Sequence, residues 1–220
     1  MILAIHNWAE IISASICTMC LVLKPSIINR WFILFLWVTS IVELVGKLMN
    51  SYPYDKTLMY NVFNGVEFMF YLLLFWRLTE SKKSKYILTV LALVFCLFFL
   101  VNLSFLQGLY HYNSDTHTVG SVEMIISCLI LFYEISVSES NYFFLIKWPL
   151  FFVVAGILCF YAMNVFNTSM LNYMAKINVD RAVNLYRVIN HSSNVVLYSC
   201  FSIAFIIEAA HKRYYPSGST

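Results

Sequence analysis

Charge is scarce in this chain. Asp, Glu, Lys and Arg supply 11% of its 220 residues, less than half the ~25% usual for a soluble domain. That shortage rules out a water-soluble fold. Glycine and proline number 6 and 4 and nowhere gather into a linker, so a separate soluble domain is not expected. No internal repeat points to the inverted halves of many transporters, and no segment is of low complexity. No strong excess of one sign exists either: the net charge is +3, the basic residues sit where a membrane topology needs them, and nucleic acid is not an expected partner.

Cysteine is missing from the connecting segments, where an extracytoplasmic disulfide would lie. Cys17, Cys20, Cys96, Cys128, Cys159 and Cys200 all fall within apolar runs and read as small buried hydrophobes. Cys17-x-x-Cys20 lacks the second pair that a metal site would have. The first apolar run, opening "MILAIHNWAE", has no Lys or Arg ahead of it and no small-residue cleavage site, so it reads as a retained helix rather than a signal peptide.

What the chain has in quantity is apolar sequence: 61% hydrophobic and 18% aromatic residues, with a mean hydropathy of +0.75. A spanning helix needs roughly 20 mostly apolar residues. Seven windows qualify, at about 3–23, 29–50, 58–78, 86–106, 118–138, 145–167 and 188–209. Polar breaks separate them at "LKPS", "SYPYDK", "ESKKSK", "HYNSDTH", "SESN" and a longer stretch, 168–186. Membrane β-strands are about half as long, so a barrel is excluded. The expectation is one all-α domain over residues 1–220, a seven-transmembrane-helix bundle whose first partner is the lipid bilayer.

Orientation follows from the basic residues. Lys24, Arg30, Arg77, Lys82, Lys83, Lys85, Lys147, Lys212 and Arg213 fall on one side; Lys56, Lys176, Arg181 and Arg187 fall on the other. This bias puts the C-terminus in the cytoplasm and the N-terminus outside.

The informative residues are those that do not belong in lipid. The first window carries His6 and Glu10, the second Glu43 and Lys47, the third Asn61, Asn64 and Glu67, and the fifth Glu123. The sixth ends with Asn164 and Asn167, and the seventh, opening "RVINHSSN", carries Arg187, Asn190, His191 and Asn194. With the orientation above, all of them fall in the outer half. At 1.5 Å per residue, Glu10 and Glu43 lie about 10 Å below the outer rim, Glu67 about 13 Å and His191 about 5 Å. Tyr60, Asn64, Glu67 and Tyr71 form one helical stripe, and Arg187, His191, Asn194 and Tyr198 another.

An ionised side chain at mid-bilayer costs ~2.5–3.5 kcal/mol. Six facing lipid would cost ~15 kcal/mol, comparable with the ~5–15 kcal/mol stability of a whole domain. They are therefore expected to face the bundle interior and line a polar cavity near the outside. The candidate ligand-binding set is Glu10, Glu43, Lys47, Asn64, Glu67, Glu123, Arg187, His191 and Asn194. Four carboxylates against Lys47 and Arg187 leave an acidic balance, which suits a cationic or amine-bearing small ligand or shared protons. The competing reading is helix–helix pairing: Glu43 with Lys47, Glu67 with Arg187, and asparagines bridging helices.

Other polar residues have simpler readings. Glu134 and Glu208 fit interfacial pairing, and Trp8, Trp31, Trp76 and Trp148 fit interfacial anchors. His111 and His117 flank a short loop that is read as solvated rather than metal-binding. The sequence calls for no cofactor and no resident metal.

Seven helices with an outer N-terminus is also the rhodopsin topology, but the last window has no Lys between Arg187 and Glu208 to carry a retinal Schiff base. Ceramidase-like metal hydrolases gather three His with Ser and Asp. Here Arg187-x-x-x-His191 stands where they have a His pair, and no window contains an Asp. The stretches "YNVFNGVEFMFYLLLF" and "VINHSSNVVLYSCFSIAF" resemble those of small bacterial seven-helix membrane proteins, which are similar to the membrane sensor regions of signalling proteins. The resemblance implies an inner-membrane location and marks Asn64, Glu67, His191 and Asn194.

Three function classes follow. The first is a membrane sensor that binds an outer ligand and signals to a separate cytoplasmic protein. The second is a small transporter, channel or membrane-perturbing effector acting as a homo-oligomer, although the inner halves offer only Ser13, Ser15, Thr18, Ser199 and Ser202 as polar groups. The third is an intramembrane metal-dependent hydrolase using Glu67 or Glu10 with His191.

Overall fold

The computed structural model describes residues 5–23, 27–137, 149–175 and 179–214. Seven α-helices account for nearly all of them: α1 (Ile5–Leu23), α2 (Ile27–Leu48), α3 (Pro53–Leu78), α4 (Lys82–Val101), α5 (Ser114–Val137), α6 (Pro149–Ala175) and α7 (Val179–Tyr214). Six are long and apolar enough to cross a bilayer, and the described residues include no strand. This is the helical bundle of a multi-pass membrane protein.

The helix ends have local causes. After α2, a 3-10 turn over Met49–Ser51 leads to Tyr52, which leaves the helical region because Pro53 follows it. Pro53 then opens α3, where a missing N–H costs nothing. Between α3 and α4, Thr79 is extended and its N–H closes on the Phe75 carbonyl at 2.9 Å. α4 ends in a π-turn, Asn102–Leu106. Gly108, at φ +78°, then turns the chain toward α5 in a conformation that only glycine adopts cheaply.

One expected break is corrected. The stretch 168–186 was expected to be a long connection, yet α6 continues to Ala175 and α7 begins at Val179. This stretch has neither Gly nor Pro, so its polarity alone does not end a helix. Most of the "LKPS" break, the whole "SESN" break, the start of the sixth window, Lys147, Trp148, Lys176 and the tail beyond Tyr214 lie outside the described residues, as does the side chain of His6.

The helices pack in chain order, each against the next, and α7 returns along α1. α3 also packs on α5. In α5 the buried positions Thr116, Gly120, Glu123, Ser127 and Leu131 recur at three or four residues, while Val122, Ile126, Leu129 and Tyr133 are exposed. That is a bundle-facing stripe opposite a lipid-facing one. Trp8, Trp31 and Trp76 are likewise exposed.

Candidate functional site

The upper end of the bundle is the end holding the α2–α3 and α4–α5 connections. There α1, α2 and α3 bring their carboxylates together. Glu10 is almost wholly buried, at 2% exposure, and lies beside Glu43 and Lys47 of α2 and Glu67 of α3. The Tyr60 hydroxyl donates to Glu43 at 3.4 Å, and the Tyr161 hydroxyl on α6 donates to Glu67 at 3.1 Å. Lys47 donates to the Asn7 side chain across the α1–α2 seam. Three carboxylates and one ammonium thus share a level of the bundle.

Beneath them is a layer of tyrosines. Tyr71, Tyr161 and Tyr198 come from α3, α6 and α7 and are all buried; Tyr71 and Tyr161 meet edge-on at 6.2 Å. Tyr198 lies beside both Tyr71 and Glu67.

Lower still is an aromatic floor. Phe35 stacks on Phe70 at 4.1 Å, and Phe32 meets Phe70, Phe201 and Phe205 edge-on at 5.9, 5.0 and 5.4 Å. On α2, Phe35 is eight residues below Glu43, about 12 Å of helix rise. The hydroxyls at this depth are turned inward on their own helices: Thr18 donates to the Ala14 carbonyl, Thr39 to Phe35 and Ser202 to Tyr198. The lower half therefore offers little to an ion or a polar solute.

Not every expected site residue joins this group. Glu123 is buried on α5, but no charged side chain among the described residues acts on it. The space between α3 and α5 is taken by Phe68, which packs on His117 of α5 and Tyr161 of α6 at 5.8 and 5.2 Å. Arg187, expected to face inward, is exposed, and Glu67 takes its hydrogen bond from Tyr161 rather than from Arg187. His191 is half-buried beside Arg187 and Lys47. Asn194 bonds back to the Asn190 carbonyl at 2.8 Å. Asn64 is half-buried.

Some intramembrane polar groups do hold the bundle together. Asn61, 1% exposed, donates to the carbonyls of Leu109 and His111 at 2.9 and 2.7 Å and accepts the Asn113 N–H at 3.1 Å. It pins the α4–α5 connection onto α3. Asn167 donates to the Tyr186 carbonyl, joining α6 to α7. At the lower end, Glu134 accepts the Glu80 N–H at 3.3 Å and anchors the α3–α4 turn.

Sequence reasoning missed Asn7, Ser40 and Tyr161. Tyr161 had a readable signal, because it shares a helical stripe with Asn164 and Thr168. Asn7 and Ser40 had none apart from their partners. Comparisons with protein-family models, curated proteins and solved structures find no match to this chain.

Proposed function

We propose that the chain is an integral membrane sensor of a bacterial inner membrane, crossing it seven times with the N-terminus outside. It takes a small cationic or amine-bearing molecule from the outer side and passes a helix shift to a separate cytoplasmic signalling protein. The observation that carries this reading is the convergence of Glu10, Glu43 and Glu67, from three helices, with Lys47 beside Glu10 and Glu43 and Lys56 also acting on Glu43. Carboxylates gathered away from water attract a cation strongly. A cation held there interacts with α1, α2 and α3 together, which is the differential contact needed to shift their packing.

The aromatic floor favours binding over passage, since a conducting path needs polar groups along its whole length. The distribution of Lys and Arg supports the orientation. The test is titration of the protein in lipid nanodiscs with aliphatic mono- and diamines, followed by tryptophan fluorescence and thermal shift. One amine class is expected to bind saturably, with binding weakened by Glu43→Gln, Glu67→Gln and His191→Ala in protein that still inserts and elutes as wild type. Ion flux through liposomes would instead support a transporter or channel, and metal-dependent hydrolysis an enzyme.

A further inference from the structure

The excess positive charge of this chain is gathered in one place. Of its 14 basic and 11 acidic residues, the positions from Trp76 to Lys85 hold Arg77, Lys82, Lys83 and Lys85 against Glu80 alone, which leaves ten of each sign everywhere else. The whole net charge of +3 therefore resides in the turn between α3 and α4. Arg77, Lys82 and Lys83 are exposed, and Lys85 is half-buried. Apart from the contact of Lys85 with Trp76, no side chain among the described residues engages these four cations.

The turn that carries them is fixed. The Thr79 N–H donates to the Phe75 carbonyl at 2.9 Å, the Ser84 N–H to the Ser81 hydroxyl at 3.5 Å, and the Lys85 N–H to the Ser81 carbonyl at 3.0 Å. Glu134 of α5 accepts the Glu80 N–H at 3.3 Å and holds the turn from below. A backbone tied at four points presents its charges with little left to order on binding.

Its depth is set by the neighbouring residues. The apolar span of α3 ends at Leu78 and that of α4 starts from Lys82. Trp76 and Tyr86, exposed on either side of the turn, are the residue types that sit at headgroup level. Lys85 Nζ lies 5.0 Å from the centroid of the Trp76 ring, so its ammonium is carried to the same level, its stem lying along apolar surface. Leu73, one turn below Trp76 on α3, and Ile87 and Val90 on α4 are exposed apolar side chains. A basic rim directly above a lipid-facing apolar surface matches a molecule with an anionic head and acyl chains. A soluble anion or an acidic protein segment would use the rim alone.

We propose that Arg77, Lys82, Lys83 and Lys85, with Trp76, form a docking site for the headgroup of an anionic phospholipid at the α3–α4 turn. The phosphate takes charge-assisted hydrogen bonds from the basic side chains, and the acyl chains lie against Leu73 and the adjoining face of α4. A zwitterionic headgroup brings its own ammonium to four cations and is disfavoured, so the site selects lipids of net negative charge. It lies at the opposite end of the bundle from Glu10, Glu43 and Glu67 and does not depend on an amine binding there.

Full-length protein in phosphatidylcholine nanodiscs carrying a rising fraction of phosphatidylglycerol, at fixed salt, provides the test. Thermal unfolding is expected to shift upward saturably with phosphatidylglycerol, and the shift to shrink as salt is raised. Lys82→Gln and Lys83→Gln are each expected to weaken the midpoint roughly five-fold, the contribution of one lysine at a charged membrane surface. Both side chains are exposed, so the variants should fold as wild type. Arg187→Gln removes an exposed cation at the other end and is expected to keep the preference. Native mass spectrometry reads lipid retention without reference to stability: wild type is expected to hold phosphatidylglycerol over phosphatidylcholine, and the Lys82→Gln, Lys83→Gln double variant to lose that selectivity. Equal stabilisation by the two lipids, an undiminished preference in the double variant, or an equal loss in Arg187→Gln would each overturn the proposal. So would inorganic phosphate reproducing the whole shift in pure phosphatidylcholine, or a soluble oligoglutamate peptide binding there while phosphatidylglycerol adds nothing, the result an acidic protein partner would give.

Discussion

The Tyr161 hydroxyl on α6 donates to the Glu67 carboxylate on α3 at 3.1 Å, linking positions 94 residues apart in sequence. Tyr161→Phe removes that donor while keeping the ring against Phe68 and Tyr71. Interhelical hydrogen bonds in membranes are worth ~0.6 kcal/mol on average and up to ~1.7, so a loss of about 1 kcal/mol is expected in reversible detergent unfolding. Combined with Glu67→Gln, the two losses should sum to less than their separate values, because both variants break one interaction.

Asn61 makes three hydrogen bonds to the α4–α5 connection and none to the carboxylates. Asn61→Ala should lower stability by ~1–3 kcal/mol, the cost of leaving buried groups unsatisfied. Hydrogen exchange would show faster deuteration at Asn113. The midpoint for amine should stay in place, which distinguishes a structural asparagine from a binding one.

Gly120 is where α5 receives the Phe68 ring. A Cβ added at Gly120 would stand 2.7 Å from Phe68 Cε1, and that ring is held in turn by Phe95, His117 and Tyr161. Gly120→Ala should destabilise by ~1–3 kcal/mol through overpacking. Adding Phe68→Leu to the alanine variant should recover part of the loss, measured by the same unfolding.

Glu123 has an enclosed oxygen, Oε2, without a partner among the described residues. Glu123→Met replaces a costly buried polar group with an apolar one of similar length, so stability should hold or rise by ~1 kcal/mol. Amine affinity should change by less than roughly two-fold, since the energy of interaction between charges falls with distance. A large loss of affinity would return Glu123 to the site.

Much of this architecture was legible because lipid imposes strict rules. Length and hydropathy anticipated the seven helices, six of which are long and apolar enough to cross a bilayer. The cost of burying charge similarly drew attention to Glu10, Glu43 and Glu67 before any packing was known. Reasoning from polarity failed where polarity has two meanings. Residues 168–186 are polar, yet α6 runs on to Ala175 and α7 already begins at Val179. Arg187 sits on a stripe with His191 and Asn194, but stripe membership fixes a direction only to within a helix face, and at the rim a long basic side chain is free to reach outward. Tyr161 and Asn7 depend on tertiary pairing, which no single-chain periodicity encodes.

The length of α7 has a mechanical consequence. Its 36 residues give a rod about 54 Å long at 1.5 Å per residue, against a hydrocarbon core of ~30 Å. With no Gly or Pro between Val179 and Tyr214, it has no built-in hinge. Were the rod to pivot at Phe201, a tilt of about 5° would displace its upper end by roughly 3 Å and its lower end by roughly 2 Å in the opposite direction, given 1.5 Å per residue. The upper arm passes the tyrosine and carboxylate layers and the lower arm runs on to Tyr214, so a small displacement above would become an opposite movement of the helix end below.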